Sequence, residues 1–313
     1  MSFNRRSSSV RIVFAGTPEV AVPSLIALNR EFTVVGVLTR QDAPVGRKRV
    51  MTASPVAVAA KKLDLPVIKA NRISTDVRQQ IHDLSPDIGV IVAYGGLIKE
   101  PLLSDPAFGW INLHFSALPR WRGAAPVQRA LMNAERELGM TVFQLVEALD
   151  EGDVLTRDTY RTKFGAPAGD VLSEMSEAGV PALLEAVRNI ETITPEPQSG
   201  PASYAKKLTR QDGDLDPARP AENLLATWAG VTPEPGARIG ELKIHKLDAV
   251  RDEQLRLNLQ ADRPDAATAM LVNNRVFLWT ADDPVELLRV QPPGKPVMDA
   301  AAWLRGRGGE VVL

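Results

Sequence analysis

Through its first half the chain alternates short β-branched apolar runs with segments of helical period, which limits it to a mostly parallel sheet with helices on both faces. Val10–Ala15, Phe32–Leu38, Pro66–Lys69, Asp87–Tyr94, Trp110–Phe115 and Thr141–Ala148 read as strands. Between them, Pro18–Asn29, Ser54–Leu63, Thr75–Leu84 and Ala124–Ala134 read as helices. Ser54 is a natural N-cap with Pro55 at the first helical position, and Ser74 or Thr75 caps the next helix. One longer helix is predicted over Asp170–Ile190.

The composition then changes. The stretch 191-ETITPEPQSGPASYAKKLTR-210 is rich in Pro, Ser, Gly and Thr and reads as a linker. Beyond it, a short helix over Ala221–Trp228 precedes strands predicted at Leu242–Leu247, Ala269–Val272, Arg275–Trp279 and Glu286–Val290. Short strands separated by turns suit a small oligonucleotide-binding-like β-barrel. The expected organisation is a disordered extension over 1–9, a Rossmann-like α/β domain over 10–190, a linker over 191–210 and a C-terminal barrel over 211–313. The 313 residues contain no Cys, which removes disulfides, thiolate metal sites and cysteine nucleophiles together. A net charge of -1 argues against indiscriminate nucleic-acid binding and leaves room for a local basic patch. No apolar run approaches membrane-spanning length and the N-terminus lacks a secretory pattern, so a cytoplasmic setting and no membrane partner are expected.

Only three His occur in the chain, and one lies in 111-INLHFSALPRWRGAAPVQ-128. Alternate side chains on a strand share a face, so Asn112 and His114 point the same way. At the end of a strand in a parallel sheet, such a pair faces the crevice where ligands bind. An amide N–H can stabilise a developing oxyanion, and an imidazole can donate a hydrogen bond or move a proton. A lone His on an apolar strand is more often a satisfied core residue; with Asn on the same face, the residues leave both readings open. The segment 147-EALDEGDV-154 follows the next strand and offers carboxylates at Glu147, Asp150, Glu151 and Asp153. One of them could be brought against His114, and Asn, His and Asp around one centre suit acyl transfer to an amine.

The stretch 112-NLHFSALPRWRGAAPVQ-128, with 149-LDEGDV-154, resembles the methionyl-tRNA formyltransferase family. The shorter Asn-x-His and Leu-Asp-x-Gly elements resemble the wider family of 10-formyltetrahydrofolate-dependent formyltransferases. The likeness extends to 12-IVFAGTPEVAVPSL-25, 38-LTRQDAPVGRKRVMTASPV-56, 92-VAYGGLI-98 and 204-YAKKLTRQDGDLD-216, nearly the whole chain. It implies that Asn112, His114 and Asp150 are catalytic, and that 10-formyltetrahydrofolate, as co-substrate, contacts Ser116, Ala117, Leu118 and Pro119 and the backbone of Val92, Ala93, Tyr94 and Gly95. It implies that the α-amine of methionyl-initiator tRNA attacks the formyl carbon directly, Asn112 and His114 stabilising the oxyanion while Asp150 orients His114. It further implies a catalytic first domain, a tRNA-binding barrel, no metal and a monomer. Two positions depart from the family pattern. Val20 stands where an aromatic residue is frequent, and Ala117 where Leu is usual.

The centre of 42-DAPVGRKRVMTASP-55 is Gly46-Arg47-Lys48-Arg49, read as a flexible cationic loop. Alone this would be a solvated loop; the resemblance makes Arg47, Lys48 and Arg49 tRNA contacts, continued by Lys206, Lys207 and Arg210. Arg120 and Arg122 have a structural and a tRNA reading that the sequence leaves open; Trp121 is expected to pack. At 16-GTPE-19 the Gly-x-Gly-x-x-Gly pattern of a dinucleotide enzyme is absent. His82 and His245 have no partner cluster in sequence and suggest no metal. The competing functions are a folate-dependent formyltransferase acting on a small amine or sugar-nucleotide, a formylfolate hydrolase, and a non-catalytic tRNA-binding protein.

Overall fold

Strand β1 (Arg11–Gly16) is apolar and buried on both faces from Ile12 onward, as a central parallel strand must be. The computed structural model describes residues 10–46, 48–261 and 263–313, so the extension expected over 1–9 lies outside the described residues. Next come α1 (Val22–Glu31), β2 (Thr33–Thr39), the short strands β3 (Ala43–Val45) and β4 (Val50–Thr52), α2 (Pro55–Lys62), β5 (Val67–Lys69) and α3 (Thr75–Asp83). They are followed by β6 (Ile88–Val92), β7 (Trp110–His114), β8 (Arg122–Gly123), α4 (Pro126–Met132), β9 (Glu137–Gln144), β10 (Val154–Arg161), α5 (Ala168–Ala178) and α6 (Val180–Arg188). Among the described residues the main sheet runs β10-β9-β7-β6-β1-β2-β5. β6 and β7 are parallel, whereas β7 and β9 are antiparallel.

Local chemistry accounts for several boundaries. Ser54 Oγ accepts from Ala57 N at 3.0 Å and Ser74 Oγ from Val77 N at 3.3 Å, so both predicted caps form. The single helix expected over Asp170–Ile190 is instead two, α5 and α6. Pro181 has no N–H to give to the carbonyl four residues back and its ring clashes there, which breaks the helix at Gly179. A Cβ at Gly179 would stand 3.1 Å from the Leu113 side chain, so glycine lets this bend approach β7. The strand expected at Thr141–Ala148 starts and ends four residues earlier, because its pairing with β7 stops at Ile111↔Gln144. β10 was not expected: as an edge strand it buries little, and TRDTYR carries no strong apolar signal. The stretch read as a flexible loop contains a β3–β4 ladder, Val45 opposite Val50.

The chain divides into two compact units that do not follow simple chain order. The first holds Met1–Gly123, Leu138–Tyr160 and Leu172–Tyr204; the second holds Ala124–Glu137, Arg161–Val171 and Ala205–Leu313. Residues read as a free linker are therefore shared out. Glu196 exchanges backbone hydrogen bonds with Val154 at 2.7 and 2.8 Å within the first unit. In the second unit, after the two-residue β11 (Tyr204–Ala205), come α7 (Ala221–Val231), β12 (Ala237–Ile239), β13 (Leu242–Ala249), α8 (Glu253–Ala261), β14 (Thr268–Val272), β15 (Arg275–Trp279), β16 (Pro284–Gln291), β17 (Met298–Asp299), α9 (Ala300–Arg305) and β18 (Glu310–Val312). Its antiparallel sheet, ordered β12-β13-β16-β15-β14-β18, is a curled half-barrel. Leu224, Trp228, Ile244, Leu278, Leu287 and Trp303 fill its core. Trp228 Nε1 donates to the Ile244 carbonyl at 3.2 Å, tying α7 to β13.

Gly89 on β6 shows how tightly the strands carrying the site are covered. A Cβ there would lie 2.1 Å from the indole ring of Trp110, which is fully buried and donates to the Leu102 carbonyl at 2.9 Å. Because that ring is pinned, Gly89→Ala is expected to destabilise the protein by about 1–3 kcal/mol, measured by urea unfolding.

Candidate active site

β7 enters the sheet between two partners, with Asn112 opposite Ile91 of β6 and Phe143 of β9. This places Asn112 and His114 on one face of a strand fixed along both edges. Asn112 is half-buried, and its side chain has no partner among the described residues. His114 is 8% exposed, and its ring meets Phe143 edge-on at 6.3 Å. His114 Nε2 lies 3.0 Å from the Trp121 carbonyl and 4.0 Å from Asp150 Oδ2. A carbonyl only accepts, so the proton in that contact sits on Nε2. The carboxylate is within ion-pair reach and beyond direct hydrogen-bond distance.

Asp150 is held by one backbone N–H and one side-chain amide. Its Oδ2 accepts from Gly123 N at 2.7 Å, and its own carbonyl accepts from Gln198 Nε2 at 2.8 Å. Asp150 and Trp121 both adopt left-handed backbone, with φ of 52° and 59°. Such residues cost of order 1–3 kcal/mol each and persist where neighbours over-determine them. Here Trp121 N donates to Ser203 Oγ at 2.9 Å, and Arg122 N to the Ser203 carbonyl at 2.8 Å. The Arg122 guanidinium reaches Glu151 at 2.7 Å and Gln198 Oε1 at 2.8 Å. Gln198, Ser203, Gly123 and Arg122 are thus site residues that sequence reasoning missed or left undecided. A Pro- and Ser-rich stretch carries no signal that it will fold back onto an active site.

The expected co-substrate contacts divide by exposure. Ser116 is buried, its Oγ donating to the Arg120 carbonyl at 2.7 Å. Thr141 Oγ1 donates to the Ser116 carbonyl at 2.7 Å and accepts from Leu118 N at 3.3 Å. Leu118 and Pro119 are buried as well, so Ala117 is the exposed member of this group. In the other group Val92 and Tyr94 are buried while Ala93 and Gly95 face out. Tyr94 Oη donates to the Ala70 carbonyl at 2.9 Å, and burial pushes its phenol above the ordinary value, against the opposing charge of Arg40. Thr17 Oγ1 donates to the Tyr94 carbonyl at 2.7 Å, joining the ends of β1 and β6. Beside Gly95 is a cavity of about 640 Å³ lined by Arg40, Asn71, Arg72, Arg78 and Lys99. Arg78 is committed to Asp105, whose carboxyl that hydrogen bond holds below its ordinary range. The Arg72 and Lys99 side chains engage no partner among the described residues.

Residues 10–187 match the family described as Formyl transferase, and residues 207–308 match its C-terminal domain. The methionyl-tRNA formyltransferase of Leifsonia xyli subsp. xyli is 48% identical over 97% of this chain and 100% of its own length. The chain belongs to the methionyl-tRNA formyltransferase family. Two solved structures share the fold at low identity. The methionyl-tRNA formyltransferase from Clostridium thermocellum covers 89% of this chain and 99% of its own, with TM-score 0.55 and 12% identity. An N-formyltransferase from Helicobacter canadensis, in complex with folinic acid and dTDP-3-aminofucose, covers 89% of this chain and 98% of its own, with TM-score 0.65 and 15% identity.

Of the cations expected to meet nucleic acid, Arg47 lies outside the described residues. Lys48 and Arg49 are exposed at the turn between β3 and β4, beside Val45, Val50 and Met51, which are 57%, 60% and 63% exposed. In the second unit Lys206, Lys207 and Arg210 are exposed. His82 is exposed on α3, and His245 contacts Gln291 at 3.1 Å. Among the described residues no cluster of His, Asp and Glu could hold a metal ion, and no helix is long and apolar enough to cross a membrane.

Gly152 tests how closely the acidic loop must sit. A Cβ there would stand 1.6 Å from the Gln144 carbonyl, so any side chain forces the loop off the end of β9. Gly152→Ala is expected to displace Asp150 and lower turnover by about 100-fold, as for a reacting group misplaced by about 1 Å; steady-state kinetics beside a circular-dichroism melt check it.

Proposed function

We propose that this chain transfers the formyl group from N10 of 10-formyltetrahydrofolate to the α-amine of methionyl-initiator tRNA, with Asn112, His114 and Asp150 as the catalytic residues. The observation that carries the reading is the pairing of Asp150 with His114, whose strand presents Asn112 on the same face, in a chain alike end to end to methionyl-tRNA formyltransferases. The amine attacks the formyl carbon to give a tetrahedral intermediate. A new C–N bond forms, the bond to N10 breaks, and one amine proton passes to N10, giving formylmethionyl-tRNA and tetrahydrofolate. Asn112, whose side chain has no partner among the described residues, donates its amide N–H to the oxyanion. His114 already directs Nε2–H at the Trp121 carbonyl. A second proton on Nδ1 makes it a cationic donor to the oxyanion, its charge balanced by Asp150.

The exposed backbone at Ala93 and Gly95, together with the exposed Ala117, receives the folate ring system. Arg72 and Lys99 suit the carboxylates of its glutamyl tail. On tRNA, the β3–β4 hairpin supplies cations for phosphates and Val50 and Met51 for an unstacked end; Lys206, Lys207 and Arg210 add phosphate contacts. A small amine or sugar-nucleotide acceptor would give the cationic hairpin no task, and the relatives alike over nearly the whole chain are methionyl-tRNA formyltransferases, which favours tRNA. We place the reaction in the cytoplasm, in a monomer with catalysis in 10–190, a connecting segment over 191–210 and tRNA binding in 211–313.

The test is transfer of labelled formyl to charged initiator tRNA against free amines. Wild type should formylate only the tRNA, and Asn112→Ala should lower kcat by about 10²–10³-fold. His114→Ala and Asp150→Ala should each abolish most transfer in folded protein; near-wild-type turnover in His114→Ala would overturn the catalytic assignment. Arg47→Ala combined with Lys48→Ala should raise KM for tRNA and reduce the salt slope by about 1 to 2, with folate binding spared. An equal fall in folate affinity would give the hairpin a different role.

A further inference from the structure

The segment expected to be a linker touches both halves of the site. At one end, Gln198 Nε2 donates to the carbonyls of Asp150 and Gly152, both at 2.8 Å. Its Oε1 accepts from Arg122 Nε at 3.2 Å and from an Arg122 terminal nitrogen at 2.8 Å. Arg122 also pairs with Glu151 at 2.7 Å. At the other end, Ser203 binds the backbone of Pro119, Trp121 and Arg122. The Gln198 side chain thus uses donor and acceptor ends together, fastening the acidic loop to the strand-end loop whose Trp121 carbonyl receives His114.

We propose that Gln198 is a positioning residue for formyl transfer, setting the Asp150 carboxylate against His114 by holding the Asp150 backbone. This rests on the function proposed above. Gln198 reaches no reacting atom; it acts by restricting a residue whose backbone is already left-handed. Without the two carbonyl contacts the loop can relax, and Oδ2 leaves its place between Gly123 N and His114 Nε2. A glutamate at 198 keeps the size and an acceptor for Arg122, but gives both carbonyls an anion in place of a donor. A methionine keeps length and volume with no hydrogen bonds.

Gln198→Met and Gln198→Glu in the full-length chain are expected to lower the single-turnover rate by about 100-fold. KM for folate and for methionyl-tRNA should stay within about 2-fold, because neither substrate contact is removed. The pH profile of the rate should change shape, since the His114–Asp150 separation governs it. In an Asp150→Asn background, Gln198→Met should cost less than about 3-fold more, because two residues acting as one unit are not additive. A purely structural role would lower the melting temperature and leave the rate per folded molecule and its pH profile alone; that result overturns the proposal. Full additivity with Asp150→Asn, or a raised KM at unchanged kcat, overturns it as well. Failure of wild type to formylate methionyl-tRNA would instead defeat the underlying function, and is read in the same assay.

Discussion

β7 is parallel to β6 along one edge and antiparallel to β9 along the other, and the site's geometry follows from that placement. A strand paired on both edges has little freedom to twist or slip, and a one-residue slip would turn Asn112 and His114 to the opposite face. The parallel edge brings the ends of β6 and β7 together, so Val92–Gly95 and the turn after His114 open on the same side of the sheet. β1 lies between β2 and β6, and the crevice at that switch in strand order is where open α/β sheets take ligands. The antiparallel edge returns the chain through β9 into the acidic loop that delivers Asp150.

Around this strand, the groups that meet His114 are set by loops of unusual backbone. Trp121 and Asp150, both left-handed, face His114 from separate loops, and each is held by hydrogen bonds. Buried polar networks of this kind work when every member is satisfied. Asn112 is the exception, with its amide unclaimed among the described residues, which suits the oxyanion donor proposed above. Donors fixed before the charge appears need no reorganisation when it does.

Much of this was legible in the chain. The β1–β6 half of the sheet, the Ser54 and Ser74 caps, and the shared face of Asn112 and His114 are consequences of period and capping chemistry, which act over a few residues. The misreadings have separate physical causes. β10 is polar because an edge strand need not be apolar. The 170–190 helix splits because one proline outweighs a continuous apolar pattern. The β3–β4 ladder was hidden by the Gly, Lys and Arg of its turn, and Gln198 by a stretch whose composition is that of a connector.

The sequence by itself determined the fold class and the shared face of Asn112 and His114, because hydrophobic period and strand alternation are local properties. Family likeness then attached a reaction to Asn112, His114 and Asp150. Only the tertiary structure decided that Gln198 and Ser203 fold back to secure the site. It also decided that Ser116 and Tyr94 spend their hydroxyls on the protein, while Ala117, Ala93 and Gly95 are left facing out. Those outcomes depend on which backbone groups meet across dozens of residues, and no periodicity in a single chain encodes such meetings.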